Sequence, residues 1–192
     1  MRIGSPSEIV LIEFESSLSN AFNKPNSVLQ APLDKVLERI TKKPFGIKIS
    51  PQNSPVQPER FSGYHTGTDF EILSGKEDKD IKIAAMCDGS VLLKKWATGY
   101  GGVLVQSCVL DNKPVTIIYG HLKLASITAK VGDNLSVGET IGLLGKGYST
   151  ETDFERKHLH LGIHKGLVIN IKGYVANVKD LQSWMDVSTY LR

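Results

Sequence analysis

The 192-residue chain has no long apolar segment. No window approaches the run of about 20 apolar residues that a membrane-spanning helix needs. The longest apolar run near the start, residues 9–12, is too short for the core of a signal peptide and is followed by Glu13 and Glu15. The sequence therefore predicts neither a transmembrane segment nor a signal peptide within this chain.

Concentrated basic charge is also lacking. The formal net charge is +3, and no run of five or six lysines and arginines occurs. Because nucleic-acid-binding proteins usually present a basic stripe, we expect no nucleic-acid partner. With 41% hydrophobic and 22% charged residues, the composition is that of a globular protein, and the length suits one domain. We expect a monomer.

Cysteine is scarce, with Cys87 and Cys108 as the two examples. They lie 21 residues apart and show neither a CxxC pattern nor a Cys/His zinc spacing. They can form one disulfide between neighbouring strands in an oxidising compartment, or remain two buried thiols. The sequence leaves both possibilities open.

From about residue 61 the sequence alternates short strand-like runs with glycine turns. The runs are rich in β-branched and aliphatic residues, as strands require. They read TDFEI, DIKIAAM, GSVLLKKW, GGVLVQSCVL, KPVTIIYGHL, ETIGLLG and HLHLGIH. Strands of this length and spacing predict an all-β core rather than βαβ units.

The chain divides into three predicted parts. Residues 1–60 form an extension with a strand-like run, EIVLIEF, a short amphipathic helix over 33–43 and a proline-rich arm. Residues 61–168 form the main domain, and residues 169–192 form a tail that packs on it, with a short helix around 179–185. We expect the arm to brace the sheet rather than to cover a site, because proline-rich segments more often act as spacers.

The histidines are grouped with possible partners. The stretch HLHLGIH holds three of the five, and on a strand His158, His160 and His164 share one face. In GYHTGTDFEI, a spacing of four returns His65 and Asp69 to one face on a strand or on a helix. A further histidine, in the run IIYGHL, follows the longest predicted strands.

These residue types suit a catalytic metal site. Imidazole and carboxylate are zinc ligands, and three protein ligands with one open position is the catalytic arrangement. His65, Asp69 and one histidine of HLH would make that set, although spacing does not say which one. The other histidine of HLH and His121 can then act as general acid and general base in amide hydrolysis. HxxxD or HxH alone often occurs by chance, so the combination carries the hypothesis.

The motif order HxxxD, Tyr-Gly-His-Leu and HLH, with VGDNLSVGETIGLLG before the last, resembles the lysostaphin-type zinc metallopeptidases. This is the twenty-third metallopeptidase family, also called LytM-like, and the similarity covers about residues 61–168. The resemblance implies antiparallel sheets of the duplicated hybrid motif type that form a groove, with short peripheral helices. It also implies one Zn²⁺ ion, cleavage of peptide bonds in the stems or cross-bridges of bacterial peptidoglycan, and an extracytoplasmic location in the wall, the periplasm or the medium.

The resemblance assigns a role to each motif position. The implied zinc ligands are His65, Asp69 and His160, the second histidine of HLH. The implied catalytic residues, which activate water and stabilise the transition state, are His121 and His158.

Some positions depart from the family pattern. His164 matches no catalytic position, and we expect it at the rim of the groove. A tyrosine that polarises the substrate carbonyl in some members has no clear counterpart, and Tyr64 is only a weak candidate. Glu155, Arg156 and Lys157 stand where many members have small residues, and we expect solvated charges there.

Other functions compete with the endopeptidase hypothesis. A zinc carboxypeptidase acting on wall peptides would keep the metal and change the bond. A non-catalytic wall-binding or amidase-regulating domain would lack one or more of the five positions, and here all five are present. A lipoyl-type carrier would need a lysine in the hairpin turn, where the chain has Asn134 or Ser136 instead.

Overall fold

The computed structural model describes residues 28–191, which are mostly antiparallel β-structure. The strands are β1 (Lys48–Ile49), β2 (Gly63–His65), β3 (Gly67–Glu71), β4 (Lys82–Ala84), β5 (Gly89–Ala97), β6 (Gly101–Leu110), β7 (Lys113–Leu122), β8 (Asn134–Leu135), β9 (Thr140–Leu143), β10 (His158–Lys165), β11 (Tyr174–Val175) and β12 (Trp184–Met185). The helices are α1 (Val178–Leu181) and the 3-10 helices Val36–Arg39, Leu124–Ser126, Thr150–Thr152 and Val187–Tyr190. These elements confirm the predicted all-β core with short peripheral helices.

A seven-stranded sheet forms the centre of the fold. Its strands follow the order β12-β10-β7-β6-β5-β8, and β3 also pairs with β10. The long hairpin of β6 and β7 turns at Asp111 and Asn112, whose φ angles of 50° and 57° suit a tight hairpin turn. One edge of β10 pairs with β7, and the other pairs first with β3 and then with β12.

Apolar side chains cover both faces of the sheet. Successive residues of a strand point to opposite faces, and buried apolar residues occur on each. Leu159, Leu161 and Ile163 of β10 belong to the main buried cluster on one face. Ile118 and Trp184 belong to a smaller buried cluster on the other face. The histidines of β10 alternate with the leucines, so they lie on the second face.

A small sheet joins three distant parts of the chain. Its order is β1-β2-β11, with Lys48 opposite Tyr64 and Tyr174 opposite His65. The arm and the tail therefore flank the strand that carries the first histidine motif.

The predicted helix over 33–43 is wrong in type and length, because a single 3-10 turn, Val36–Arg39, stands there. Lys35 precedes it in the left-handed conformation, with φ 48°, and no side chain caps the turn. The Arg39 side chain is drawn inward and donates to the carbonyl of Glu71 over 3.0 Å. Tertiary contacts therefore override the helical spacing of the apolar residues.

The predicted tail helix is shorter than expected. It ends at Leu181, and Trp184–Met185 of the same stretch pairs with β10 instead. The strand-like run EIVLIEF, residues 8–14, lies outside the described residues. Within residues 28–191 no helix is long and apolar enough to cross a membrane.

Cys87 and Cys108 are joined as a disulfide, with their Cα atoms 6.2 Å apart. Cys108 lies on β6, and Cys87 lies in the segment between β4 and β5. Both residues are buried in the main core. Of the two possibilities that the sequence leaves open, the structure therefore contains the cross-link.

Candidate active site

The pairing of β3 with β10 builds the centre of the candidate site. His160 lies opposite Asp69, and His158 lies opposite Glu71. Since alternate residues of a strand share a face, all four side chains point to the same side of the sheet. On the other edge of β10, His160 lies opposite Gly120, next to His121 at the end of β7.

His65, Asp69 and His160 bring three donor atoms together. The distance is 3.0 Å from His65 Nε2 to His160 Nδ1, 3.3 Å from His65 Nε2 to Asp69 Oδ1, and 3.2 Å from His160 Nδ1 to Asp69 Oδ1. All three residues are buried. In a tetrahedral zinc site, bonds of about 2.0–2.2 Å place neighbouring ligand atoms roughly 3.3–3.6 Å apart. The three atoms lie close to this spacing, so one metal ion is a chemically suitable occupant of the group.

Hydrogen bonds from the second ring nitrogens fix how the two imidazoles are turned. Nδ1 of His65 lies 3.3 Å from the carbonyl oxygen of Pro44, to which it can donate a hydrogen bond. Nε2 of His160 lies 3.2 Å from the hydroxyl oxygen of Tyr100, which can accept a hydrogen bond from it. This arrangement leaves the lone pairs of the other two nitrogens directed at the site, as metal-binding histidines need.

Burial sets the charge of these groups. It lowers the pKa of His160 to about 4, so this imidazole is neutral near pH 7. Burial alone would raise the pKa of Asp69, but its contacts with His158, His65 and His160 hold it well below its ordinary value. Neutral imidazole and ionised carboxylate are the forms that bind metal.

His121 and His158 lie side by side next to the three donors, with ring centroids 4.2 Å apart. Nδ1 of His158 donates to the carbonyl of Arg156 over 2.8 Å, so its Nε2 faces the site, 3.2 Å from Asp69 Oδ2. Nδ1 of His121 is buried and has no hydrogen-bond partner within the described residues. Burial and the nearby charge of His158 hold the pKa of His121 well below its ordinary value.

The backbone of His121 is unusual, because its φ angle is 62°. A non-glycine residue in this left-handed region is strained, and such residues are concentrated at functional sites. The strained turn holds the ring at the end of β7, where it contacts the rings of His158 and Tyr100.

Two glycines of the motifs make room for the site. A Cβ atom on Gly67 would lie 2.7 Å from Nε2 of His160 and 2.6 Å from the carbonyl oxygen of Leu161. A Cβ atom on Gly120 would lie 2.4 Å from the ring of Tyr100. Both positions therefore exclude larger residues for a steric reason.

A cavity opens beside His121, His158 and His160, and two tyrosines that the sequence motifs did not indicate, Tyr100 and Tyr174, also line it. The Tyr174 ring lies 5.1 Å from that of His65, and its hydroxyl is 3.1 Å from the ammonium of Lys43. Tyr64 alternates with His65 on β2, and the Lys48 ammonium lies over its ring. No local signal identifies the two tyrosines, because packing between distant segments brings them to the site.

Arg156 corrects the expectation of three solvated charges. It is only 5% exposed, and its guanidinium group contacts the carboxylates of Asp69 and Glu71. Lys157 is closer to the expected solvated charge, because its ammonium forms solvent-exposed hydrogen bonds with the backbone carbonyls of Glu77 and Lys79. Glu155 pairs with Arg60.

His164 also differs from the expectation of a rim residue. It shares the strand face of His158 and His160 but is 8% exposed. Its ring packs edge-on against Trp184, with centroids 4.8 Å apart, because β12 covers this end of β10.

The arm supports the strands that carry the site through backbone hydrogen bonds. The amide of Asp69 donates to the carbonyl of Lys43, and the amide of His65 donates to that of Ile47, both over 2.9 Å. The amide of Gly46 donates back to the carbonyl of His65 over 2.9 Å. Residues 43–47 thus form an outer layer against β2 and β3.

Comparison with known proteins identifies the class. A family model described as Peptidase family M23 matches residues 63–174. The chain belongs to this family, which confirms the resemblance inferred from the motifs.

Among particular proteins, the chain is 29% identical to Endolysin 2638A of Staphylococcus phage 2638A over 119 residues. This match covers 62% of the chain and only 23% of the endolysin. The fold is similar to that of LytU, with a TM-score of 0.52, 24% identity, and coverage of 88% of this chain and 90% of that one. A chain in the complex of SpoIIIAH and SpoIIQ gives a TM-score of 0.52 with 17% identity, over 85% of this chain and all (100%) of that chain.

Proposed function

We propose that the protein is a zinc-dependent endopeptidase that hydrolyses peptide bonds in the stems or cross-bridges of bacterial peptidoglycan. The observation that carries the proposal is the buried triangle of His65, Asp69 and His160 with two further histidines beside it. Membership of a peptidase family and the likeness to a phage endolysin support the reaction class and the wall substrate.

His65, Asp69 and His160 would hold the metal through Nε2, Oδ1 and Nδ1. Zinc bound there supplies a water of lowered pKa and polarises the scissile carbonyl. Hydrogen bonds from the second ring nitrogens already turn both imidazoles so that their donor atoms face a common point.

His158 is the proposed base. Its Nδ1 proton is engaged by the Arg156 carbonyl, so Nε2 is the atom that accepts a proton from the attacking water. The same atom can then deliver that proton to the leaving amine nitrogen. The buried contact with Asp69 stabilises the imidazolium ion that forms between these two steps.

His121 is the proposed oxyanion partner. Burial keeps it neutral at pH 7, and a neutral imidazole carries one N–H that can donate to the developing negative charge. Tyr100 and Tyr174 can add further donors, because burial raises the pKa of both hydroxyls and keeps them protonated.

The remaining expectations are part of the same proposal. The N-terminal extension, residues 1–60, precedes the catalytic domain at 61–168, and its described part braces that domain, while residues 169–192 form a tail that packs on the domain. The hydrogen bonds of residues 43–47 and the pairing of β11 with β2 support this division. The protein acts as a monomer outside the cytoplasm, where peptidoglycan is found.

Digestion of purified peptidoglycan tests the proposal. Zinc-loaded protein should release fragments with new amine termini inside the peptide, detected by mass spectrometry, and a chelator should stop the reaction. Asp69→Asn keeps the side-chain shape but removes the ligand charge, and it should lose bound zinc and activity together. Release of single terminal residues would indicate a carboxypeptidase, and binding to the wall without zinc or new termini would indicate a non-catalytic domain.

A further inference from the structure

The Arg156 side chain makes a dense set of contacts beside the candidate metal ligands. Its Nη2 donates to Asp69 Oδ2 over 2.7 Å and also to Glu71 Oε1. Its Nε lies 3.0 Å from each oxygen of Glu71. A planar guanidinium group with two nitrogens on one carboxylate is held in a fixed orientation, which a lysine cannot reproduce.

Asp69 divides its two oxygens between different partners. Oδ1 faces the nitrogens of His65 and His160, at 3.3 and 3.2 Å. Oδ2 faces Arg156 at 2.7 Å and His158 at 3.2 Å. Because Arg156 engages Oδ2, only Oδ1 is directed at the two ligand nitrogens.

Arg156 pairs with Glu71 as well as with Asp69, so its positive charge is shared between two carboxylates. Glu71 is 8% exposed, and it lies two residues after Asp69 on the same face of β3. Arg156 lies two residues before His158, so it approaches the site from the same side as Glu71. Two carboxylates face one arginine, and the cluster keeps one negative charge for a cation. Lys42 approaches Glu71 at 3.5 Å, but its side chain is 44% exposed and its charge is screened by water.

The main chain of Arg156 serves the neighbouring histidine. Its carbonyl oxygen accepts a hydrogen bond from Nδ1 of His158 over 2.8 Å. A displaced Arg156 would therefore disturb a ligand and the proposed base together.

We infer that Arg156, anchored by Glu71, is a positioning residue that holds Asp69 as a one-oxygen metal ligand and orients His158. The inference rests on the proposed metal site and goes beyond it, since Arg156 is not one of the three donor residues. Residues in this supporting layer typically change metal affinity by roughly 10- to 100-fold.

Arg156→Lys tests the inference, because it keeps the charge and removes the two-nitrogen fork. The metal-free variant is titrated with zinc in competition with a chromophoric chelator, and folding is checked by circular dichroism. We expect zinc affinity to fall roughly 10- to 100-fold. Cobalt(II) substitution should give a changed absorption spectrum, because Asp69 is no longer restricted to one oxygen.

Arg60→Lys is the matched control. Arg60 also pairs with two acidic residues, Asp153 and Glu155, but contacts none of the candidate metal ligands. It should leave zinc affinity and the cobalt spectrum unchanged. If Arg156→Lys does not fold, Glu71→Gln gives the second reading, because Arg156 then pairs with Asp69 alone and zinc affinity should again fall.

The outcomes separate the two proposals. Wild-type zinc affinity and an unaltered cobalt spectrum in a folded Arg156→Lys or Glu71→Gln variant would overturn the positioning role and leave the proposed function intact. A wild-type chain that binds no zinc would overturn both.

Discussion

At the scale of single residues, neighbouring histidines of the site differ in their contacts and in their proposed roles. His158, His160 and His164 share one face of β10, yet each has a different neighbour. His160 meets Asp69 and His65, His158 is held by the carbonyl of Arg156, and His164 packs against Trp184. Alternation along the strand puts the three rings on one face, and contacts with other segments give each ring different partners.

His158→Gln should separate metal binding from turnover. The ring is not one of the three converging donors, so zinc content should stay at one ion per chain. Loss of the proposed base should lower kcat by roughly 100- to 10,000-fold. His164→Gln, on the same strand face, should keep wild-type turnover, and full activity of the His158 variant would rule out its proposed role.

At the scale of elements, the register between β3 and β10 decides the site. It sets His160 opposite Asp69 and Gly162 opposite Gly67, and a slip by one residue would turn each histidine to the other face. Glycine at position 67 lets the His160 ring lie close to the backbone of β3.

Gly67→Ala should therefore disturb the site without changing any polar group. The added methyl overlaps His160 and the Leu161 carbonyl, and overpacking of this kind costs about 1–3 kcal/mol of stability. Zinc affinity should fall as well, because His160 must move. Gly162→Ala, whose methyl would meet Trp184 at 3.4 Å, is the matched control. Equal stability and zinc affinity in the two variants would contradict this steric explanation.

Local sequence patterns predict some elements and fail for others. Glycine-separated apolar runs identify the strands because strands are rich in β-branched and aliphatic residues, and the histidine motifs identify the candidate donors. The helix predicted over 33–43 fails because Lys35 is left-handed and Arg39 is drawn into the fold. Arg156 and Tyr174 could not be predicted at the site, because strand pairing and the return of the tail bring them there.

At the scale of the whole molecule, the N-terminal arm and the C-terminal tail pack beside the central sheet at the site. The arm contributes β1 and residues 43–47, and the tail contributes β11. The histidines of the site are buried. Burial lowers the pKa of His160 to about 4 and holds that of His121 well below its ordinary value. Folding therefore keeps these rings neutral in a range where the unfolded chain would protonate them.

The metal-free protein should lose stability on acidification. Between pH 6.5, the ordinary pKa of histidine, and about 4, the unfolded chain binds more protons than the folded chain, so the free energy of unfolding falls as pH falls. The lowered pKa of Asp69 acts with the same sign below its ordinary value of 3.8, outside this window. Urea unfolding with a chelator present measures the slope, which His160→Gln should reduce. A flat profile for the wild type would contradict the predicted burial effect.

The central claim is that His65, Asp69 and His160 hold one zinc ion. Diffraction from zinc-soaked crystals at the zinc absorption edge tests it most directly. We predict one anomalous peak at bonding distance, about 2.0–2.2 Å, from His65 Nε2, Asp69 Oδ1 and His160 Nδ1. A peak bonded to His121 or His158 in place of these atoms, or no ordered zinc at the site, would contradict the claim.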